Sequence, residues 1–271
     1  MKWRLLFLAL VAGLAFFACL WIYKAEESDN FSRPVASFER VSLETKNGKV
    51  TVSVGTDSAA SALITRYAYG KNQSDAEQRL SQITVEDTVD NGCWYLRLNF
   101  PRSSAPQGGL IAASLPERAG LNIITSNGQV TVSGMSAGVT VSNSNGAVVL
   151  TGTGGDAQVS TSNGDVTVQV HSGGVTINTS NGQIDCDLAA LPAVKSAVLN
   201  TTNGKVILRL PPDVSCRITA TTSNGTVVIS GFYVQYEEQS QTRVRAKIGS
   251  GAASVTVTTT NGDITIQNRL Q

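Results

Sequence analysis

His171 is the only histidine of the chain, and it stands beside Ser172 in the stretch VHSGG. A Ser-His-Asp relay would have to use it. Neighbours on one turn of chain do not present a hydroxyl to an imidazole in the geometry that proton transfer needs, so no relay is expected there. One histidine and the scattered cysteines Cys19, Cys93, Cys186 and Cys216, with no paired CxxC spacing, do not make a zinc site either. The cysteines read as small buried apolar residues. Among the carboxylates, Asp165 and Asp263 directly follow Asn-Gly, but the same place is otherwise filled by Lys49, Gln129, Ala147, Gln183, Lys205 and Thr226. Asp185 and Asp187, flanking Cys186 on an outward face near Asp165, are the best acid pair available. Glycoside hydrolysis needs two carboxyl groups at a defined separation on one face, and these two read more simply as solubilising charges. Gly154-Gly155-Asp156 occurs once, where a calcium-binding solenoid would repeat it. The glycine pairs at Gly108 and Gly173 lack the strand-to-helix setting and the lysine of a phosphate loop. No catalytic, metal or cofactor-binding residue is expected.

What recurs instead is Asn-Gly. The pairs fall at Asn47, Asn127-Gly128, Asn145-Gly146, Asn163-Gly164, Asn181-Gly182, Asn203-Gly204, Asn224-Gly225 and Asn261-Gly262, in steps of 18, 18, 18, 22, 21 and 37 after the second. The step of 37 reads as two units with one Asn-Gly missing. A period near 20 marks a solenoid, propeller or array. Three and five residues after each Asn stand apolar residues, such as Val166 and Val168 or Ile184 and Cys186; six and four before it stand others, such as Ala157 and Val159. The residues between are mostly Thr, Ser, Gln and Asn. Each unit therefore reads as two short strands with one face inward and one wet. Asn and Gly both tolerate positive φ, which predicts that the pair reverses the chain.

An antiparallel meander and a parallel coil both fit this spacing. In a meander, equivalent turns lie two strands apart and do not touch. In a parallel β-solenoid each residue sits on its counterpart about 4.8 Å away, and stacked counterparts are selected to be alike, as in cross-β amide ladders. Two residues before the Asn the sequence keeps Thr (Thr45, Thr125, Thr161, Thr179, Thr201, Thr222, Thr259) or, once, Asn143, and one before it Ser or Thr, with Lys46 the exception. A hairpin needs no such company. The expected fold is all-β: a flattened parallel β-solenoid of about 18–22 residues per coil, with Thr at the inner corner and Asn stacked along the edge.

Composition agrees, with 25 Gly, few aromatics and 15% charged residues in 271. A net charge of +1 offers no basic footprint for nucleic acid. The amino terminus differs in kind. Lys2 and Arg4 precede the apolar run Leu5 to Tyr23, which as a helix would span roughly 28 Å. An uncleaved membrane anchor is the favoured reading, with the carboxy-terminal domain extracytoplasmic because positive charge precedes the span and Glu26, Glu27 and Asp29 follow it. A cleaved signal peptide and lipidation at Cys19 remain alternatives. The division expected is 1–23 as anchor, 24–37 as polar linker, 38–120 as the amino-terminal part of the solenoid with a helix-containing insertion, and 121–271 as regular repeats with a hairpin near 232–248. Ser74-Asp75-Ala76-Glu77 has the pattern of a capping box and predicts a helix from about Asp75 to Ile83. Pro101 to Gly109 reads as loop.

The Thr-x-Asn-Gly-x-Val/Ile-x-Val/Ile repeat, the KIGSG of residues 247–251 before VTVTTTNGDITI, and the amino-terminal apolar segment resemble the bacterial putative-adhesin family of β-strand-repeat cell-envelope proteins. The resemblance implies a β-solenoid and an adhesion or interaction role, and brings no binding residue with it. The function expected is that of a membrane-anchored, non-catalytic structural or interaction module with a glycan or protein ligand. The alternatives are a carbohydrate-active enzyme on the same scaffold and an envelope-signalling scaffold.

Overall fold

The computed structural model describes residues 23–56, 58–102 and 105–269. The anchor, signal and lipidation readings fall on residues outside these, apart from Tyr23, which belongs to a strand and not to an apolar helix. No helix among the described residues is long and apolar enough to cross a membrane.

Two sheets, of eleven and twelve strands, face each other. Each coil gives the strand before its Asn-Gly to the twelve-stranded sheet and the strand after it to the eleven-stranded one. Through the regular part, neighbouring strands are parallel and 18 residues apart. Val148 pairs with Val166 and Val166 with Ile184 in one sheet, and Val141 with Val159 and Val159 with Ile177 in the other. The chain is a parallel coil and not a meander. Val148, Val166, Ile184 and Val206 form one fully buried interior column, faced across the core by Val139, Ala157, Val175 and Ala197. Each such side chain contributes about 1.5–3 kcal/mol by leaving water. The register is fixed by the same pattern, because a one-residue slip would turn every apolar side chain outward.

Both ends depart from sequence order. The coil carrying Asn261 (Ala253–Asn261 and Ile264–Asn268) lies between that of Asn203 and that of Asn224. The step of 37 thus holds no missing coil. From the outermost coil the chain builds the antiparallel hairpin Val234–Gln239 and Arg243–Ile248, then returns inside. At the other end the coil of Asn47 (Arg40–Glu44 and Val50–Val54) sits between the coil of Asn127 and an outer one made by Cys93–Asn99 and Gln107–Leu115. Each terminal region is clamped between coils that lie apart in sequence.

Residues 24–37 are not a linker. Tyr23–Pro34 is an edge strand antiparallel to Ala59–Gly70, followed by a 3-10 turn at Val35–Ser37. Arg66 meets Glu27 at 3.0 Å and Asp29 at 2.7 Å, and Arg33 meets Asp87 at 2.5 Å. Ala25 is the one residue of this strand that is buried, so it is held by ion pairs and backbone bonds and shows no apolar alternation to read. The helix spans Gln73–Ser81, two residues earlier than expected. Its cap is Asn72, whose Oδ1 accepts the Asp75 amide at 2.8 Å, while the Asp75 carboxylate accepts that of Lys71 at 2.9 Å. Asn caps as well as Ser, and this phase buries Ala76 and Leu80. The expected loop at 101–109 ends early, since a strand begins at Gln107.

Candidate interaction face

His171 lies in the strand Val166–Ser172 and not on a turn. A bulge after Val168, with Val170 at φ 56°, turns Val170 outward and His171 fully inward, where strict alternation would bury Val170. His171 Nε2–H donates to the Gly174 carbonyl at 3.1 Å, which leaves Nδ1 to accept from the Thr153 hydroxyl at 2.9 Å. Both ring nitrogens are used, and burial holds the imidazole below its ordinary pKa, hence neutral. Because the native pKa is depressed, the unfolded chain binds a proton below about pH 6.5 that the fold does not. This contribution to stability is whole above that pH and is lost on acidification, by at most about 1.4 kcal/mol per unit. The imidazole proton resonances of this single histidine should titrate below pH 6.5, and the denaturation midpoint should fall between pH 7 and 5.

Asp185 and Asp187 face outward on either side of Cys186, but each is engaged. Asp185 pairs with Arg209 on the adjoining strand, and Asp187 with Arg269 at 3.2 Å. Asp165, in the next coil, accepts the Gln183 amide at 2.8 Å. These carboxylates stitch coils together. Cys93, Cys186 and Cys216 are buried and unpaired with one another. Burial raises the thiols of Cys186 and Cys216, the latter to about 11, so neither supplies a thiolate at neutral pH.

At the corner, eight asparagines join in one exposed ladder in the spatial order 47, 127, 145, 163, 181, 203, 261, 224. From Asn127 onward each Nδ2 donates to the Oδ1 of the asparagine before it in this order, at 2.5–2.8 Å. The reason for Asn-Gly differs from the one expected. Asn47 is the only ladder asparagine with positive φ, and of the ladder glycines only Gly128, Gly146 and Gly262 have it. The shared property is close approach: a Cβ on Gly164 would overlap the Gly146 carbonyl, and one on Gly204 that of Gly182. Behind the ladder runs the buried Thr column, in which hydroxyls donate to the glycine carbonyl one coil below, as Thr201 does to Gly182 at 3.0 Å and Thr259 to Gly204 at 3.0 Å, while that of Thr125 has no partner. Asn143 breaks the column. Its Nδ2 takes both Gly128 O and Gly146 O, each at 3.0 Å, leaving its own Oδ1 and the Thr161 hydroxyl buried without partners. Asn143→Thr should free Gly146 O for Thr161 and raise stability by roughly 1–2 kcal/mol, measured by equilibrium unfolding.

The outer face of the twelve-stranded sheet carries two columns in register. One runs Asn122, Thr140, Gln158, Thr176, Val198, Thr256, Thr219; the other runs Ile124, Ser142, Ser160, Asn178, Asn200, Thr258, Thr221. Across these seven strands no outward side chain of either column is charged. Along one side a shallow groove of about 320 Å³ is lined by Thr140, Thr176 and Gly174 and closed by the Asp156–Lys195 ion pair at 2.8 Å. In the sequence Asp156 stood out only as part of a single Gly-Gly-Asp and Lys195 not at all, the two being 39 positions apart. Stacking brings them together, because Gly174 in the intervening coil leaves the space between them open. On the eleven-stranded sheet the equivalent column runs Thr131, Val149, Thr167, Asp185, Ile207, and is interrupted by the Asp185–Arg209 pair.

Fold and surface define a two-sheet parallel β-solenoid with one uncharged polar face. The chain belongs to the Toastrack DUF4097 family, whose pattern matches residues 102–267. The resemblance drawn from the Thr-x-Asn-Gly repeat stands. Among solved structures, the chain is similar to a putative cell adhesion protein from Clostridium sporogenes (12% identity, 90% of this chain and 100% of that one, TM-score 0.40). It is also similar to a putative adhesin from Bacteroides fragilis (13% identity, 89% and 97%, TM-score 0.36) and one from Parabacteroides distasonis (8% identity, 89% and 97%, TM-score 0.36). No curated protein matches it.

Proposed function

We propose that this chain is a non-catalytic interaction module of the bacterial cell envelope, held at the membrane by residues 5–23 with its solenoid on the extracytoplasmic side. The observation that carries the reading is the pair of uncharged columns that crosses seven strands of the twelve-stranded sheet, a flat array mostly of hydroxyl and amide groups held on doubly paired strands. A rigid array binds without the entropy cost of ordering loops. The enzyme alternative is disfavoured by the engagement of Asp185 and Asp187 with arginines, which removes the one acid pair from a general acid and base role.

Two measurements on the intact protein test the proposal. Membranes washed in high salt should retain it, since insertion of an apolar segment is not screened by salt; a mature terminus near Glu26, found by mass spectrometry, would overturn the anchor. The immobilised protein should capture fragments of envelope and release them unchanged. Cleavage of a polysaccharide that is lost in Asp185→Asn/Asp187→Asn would establish the enzyme instead.

A further inference from the structure

We infer that the uncharged face of the twelve-stranded sheet binds a neutral, extended polysaccharide lying along the solenoid axis. This rests on the interaction-module reading above and names the class of its ligand.

Charge is the first argument. The two columns run uncharged from the strand Gly120–Asn127 to the strand Cys216–Asn224, and charge returns only at the rims. Arg97 and Glu44 meet at 2.7 Å past one end, Arg243 and Arg245 take over the two columns past the other, and Asp156 with Lys195 stands at the side. A polyanion laid here would give up hydration against groups that offer no counter-charge, which is unfavourable. A neutral ligand has no such cost.

Periodicity is the second. The same pair of uncharged positions returns every coil, both of them polar in five of the seven (Ile124 and Val198 stand in the other two), at a step of about 4.8 Å, close to the length of one sugar ring in an extended chain. Only a ligand that repeats by translation can use a surface that repeats by translation, and a folded protein epitope does not.

Hydrogen-bonding capacity is the third. The Ser and Thr hydroxyls both donate and accept, as sugar hydroxyls do. The Asn200 side-chain amide donates to Asn178 Oδ1 at 3.0 Å, so the face is pre-ordered and still has donor and acceptor capacity. The opposite sheet fails the charge condition, because the Asp185–Arg209 pair crosses it in mid-length.

The test is affinity electrophoresis of the intact protein in detergent, through gels containing hydroxyethyl cellulose, laminarin or galactomannan, with polygalacturonate as the charged counterpart. At least one neutral polymer should retard it and polygalacturonate should not. Thr140→Glu/Thr176→Glu, on an exposed and a half-buried outward position of the face, should weaken retardation about tenfold or more, while Thr131→Glu/Thr265→Glu on the other sheet should leave it within about twofold. Melting curves of both variants should match the parent. A readout that needs no variant is chain length: affinity for oligosaccharides of the retarding polymer should rise ring by ring and level off at about seven, one ring per coil. Absence of retardation by every neutral polymer, equal loss in both variants, equal retardation by polygalacturonate, or affinity independent of length would overturn the inference. If envelope fragments are still captured in any of those cases, the ligand class is wrong and the module reading stands. If nothing is captured and a polysaccharide is cleaved, the module reading itself fails.

Discussion

Val166→Asp should destabilise the protein by about 4 kcal/mol or more, a large share of the 5–15 kcal/mol that ordinarily holds a domain together. Val166 is fully buried between Val148 and Ile184 in the interior column. A carboxylate there faces valine and isoleucine above and below and the second sheet across the core. It must either remain charged without a partner or take up a proton, and both are costly. Ser142→Asp, on the wet side of the other sheet, should change stability by less than about 0.5 kcal/mol. Equilibrium unfolding of the two variants measures the difference, and equal losses would contradict the parallel coil. The proton-uptake route adds a sign. The apolar surroundings between Val148 and Ile184 would raise the new carboxyl's pKa, so the deficit of Val166→Asp should shrink as pH is lowered toward the ordinary carboxylate range.

Gly164→Ala should cost about 3 kcal/mol, more than loss of the asparagine beside it. The new methyl would overlap the Gly146 carbonyl, a backbone atom fixed by its own coil. Relief requires the coils to separate, which strains the pairing on both sheets. Asn163→Ala removes two exposed amide bonds, to Asn145 and from Asn181, and should cost only about 1 kcal/mol. Gly152→Ala is the control for backbone conformation: φ is +59° and nothing lies within 4 Å of a Cβ there, so the expected cost is about 1 kcal/mol from the left-handed region alone. Thermal or denaturant unfolding of the three variants ranks them. If Asn163→Ala proved the worst, the amide ladder and not the glycine contact would be what shapes the corner.

Which part of this was legible beforehand follows from distance along the chain. The coil was legible because its evidence is local and repeated. The apolar positions about each Asn recur with the period, and the Thr before it makes sense only if counterparts touch. The inner and outer faces could be assigned for the same reason. The edge strand Tyr23–Pro34 was not legible, since ion pairs to Arg66 and from Arg33 replace apolar alternation. His171 was misplaced because a one-residue bulge at Val170 resets the alternation, and no period of two announces a bulge.

By itself, then, the sequence determined the repeating unit: 18 residues, two strands, a Thr-x-Asn-Gly corner, an apolar inside and a hydroxyl-rich outside. Periodicity encodes these directly, because each residue's environment is set by the identical residue one coil away. Tertiary structure alone decided the order of the coils. Any coil of this pattern stacks on any other nearly as well, so local sequence does not say that the coil of Asn261 enters between those of Asn203 and Asn224. The hairpin Val234–Ile248 decides it by covering the strand Cys216–Asn224 on its outer side, which leaves only the inner side to the returning chain. The same holds for the pairing of Asp156 with Lys195 and of Asp187 with Arg269, partners 39 and 82 residues apart that only the stacking brings within reach.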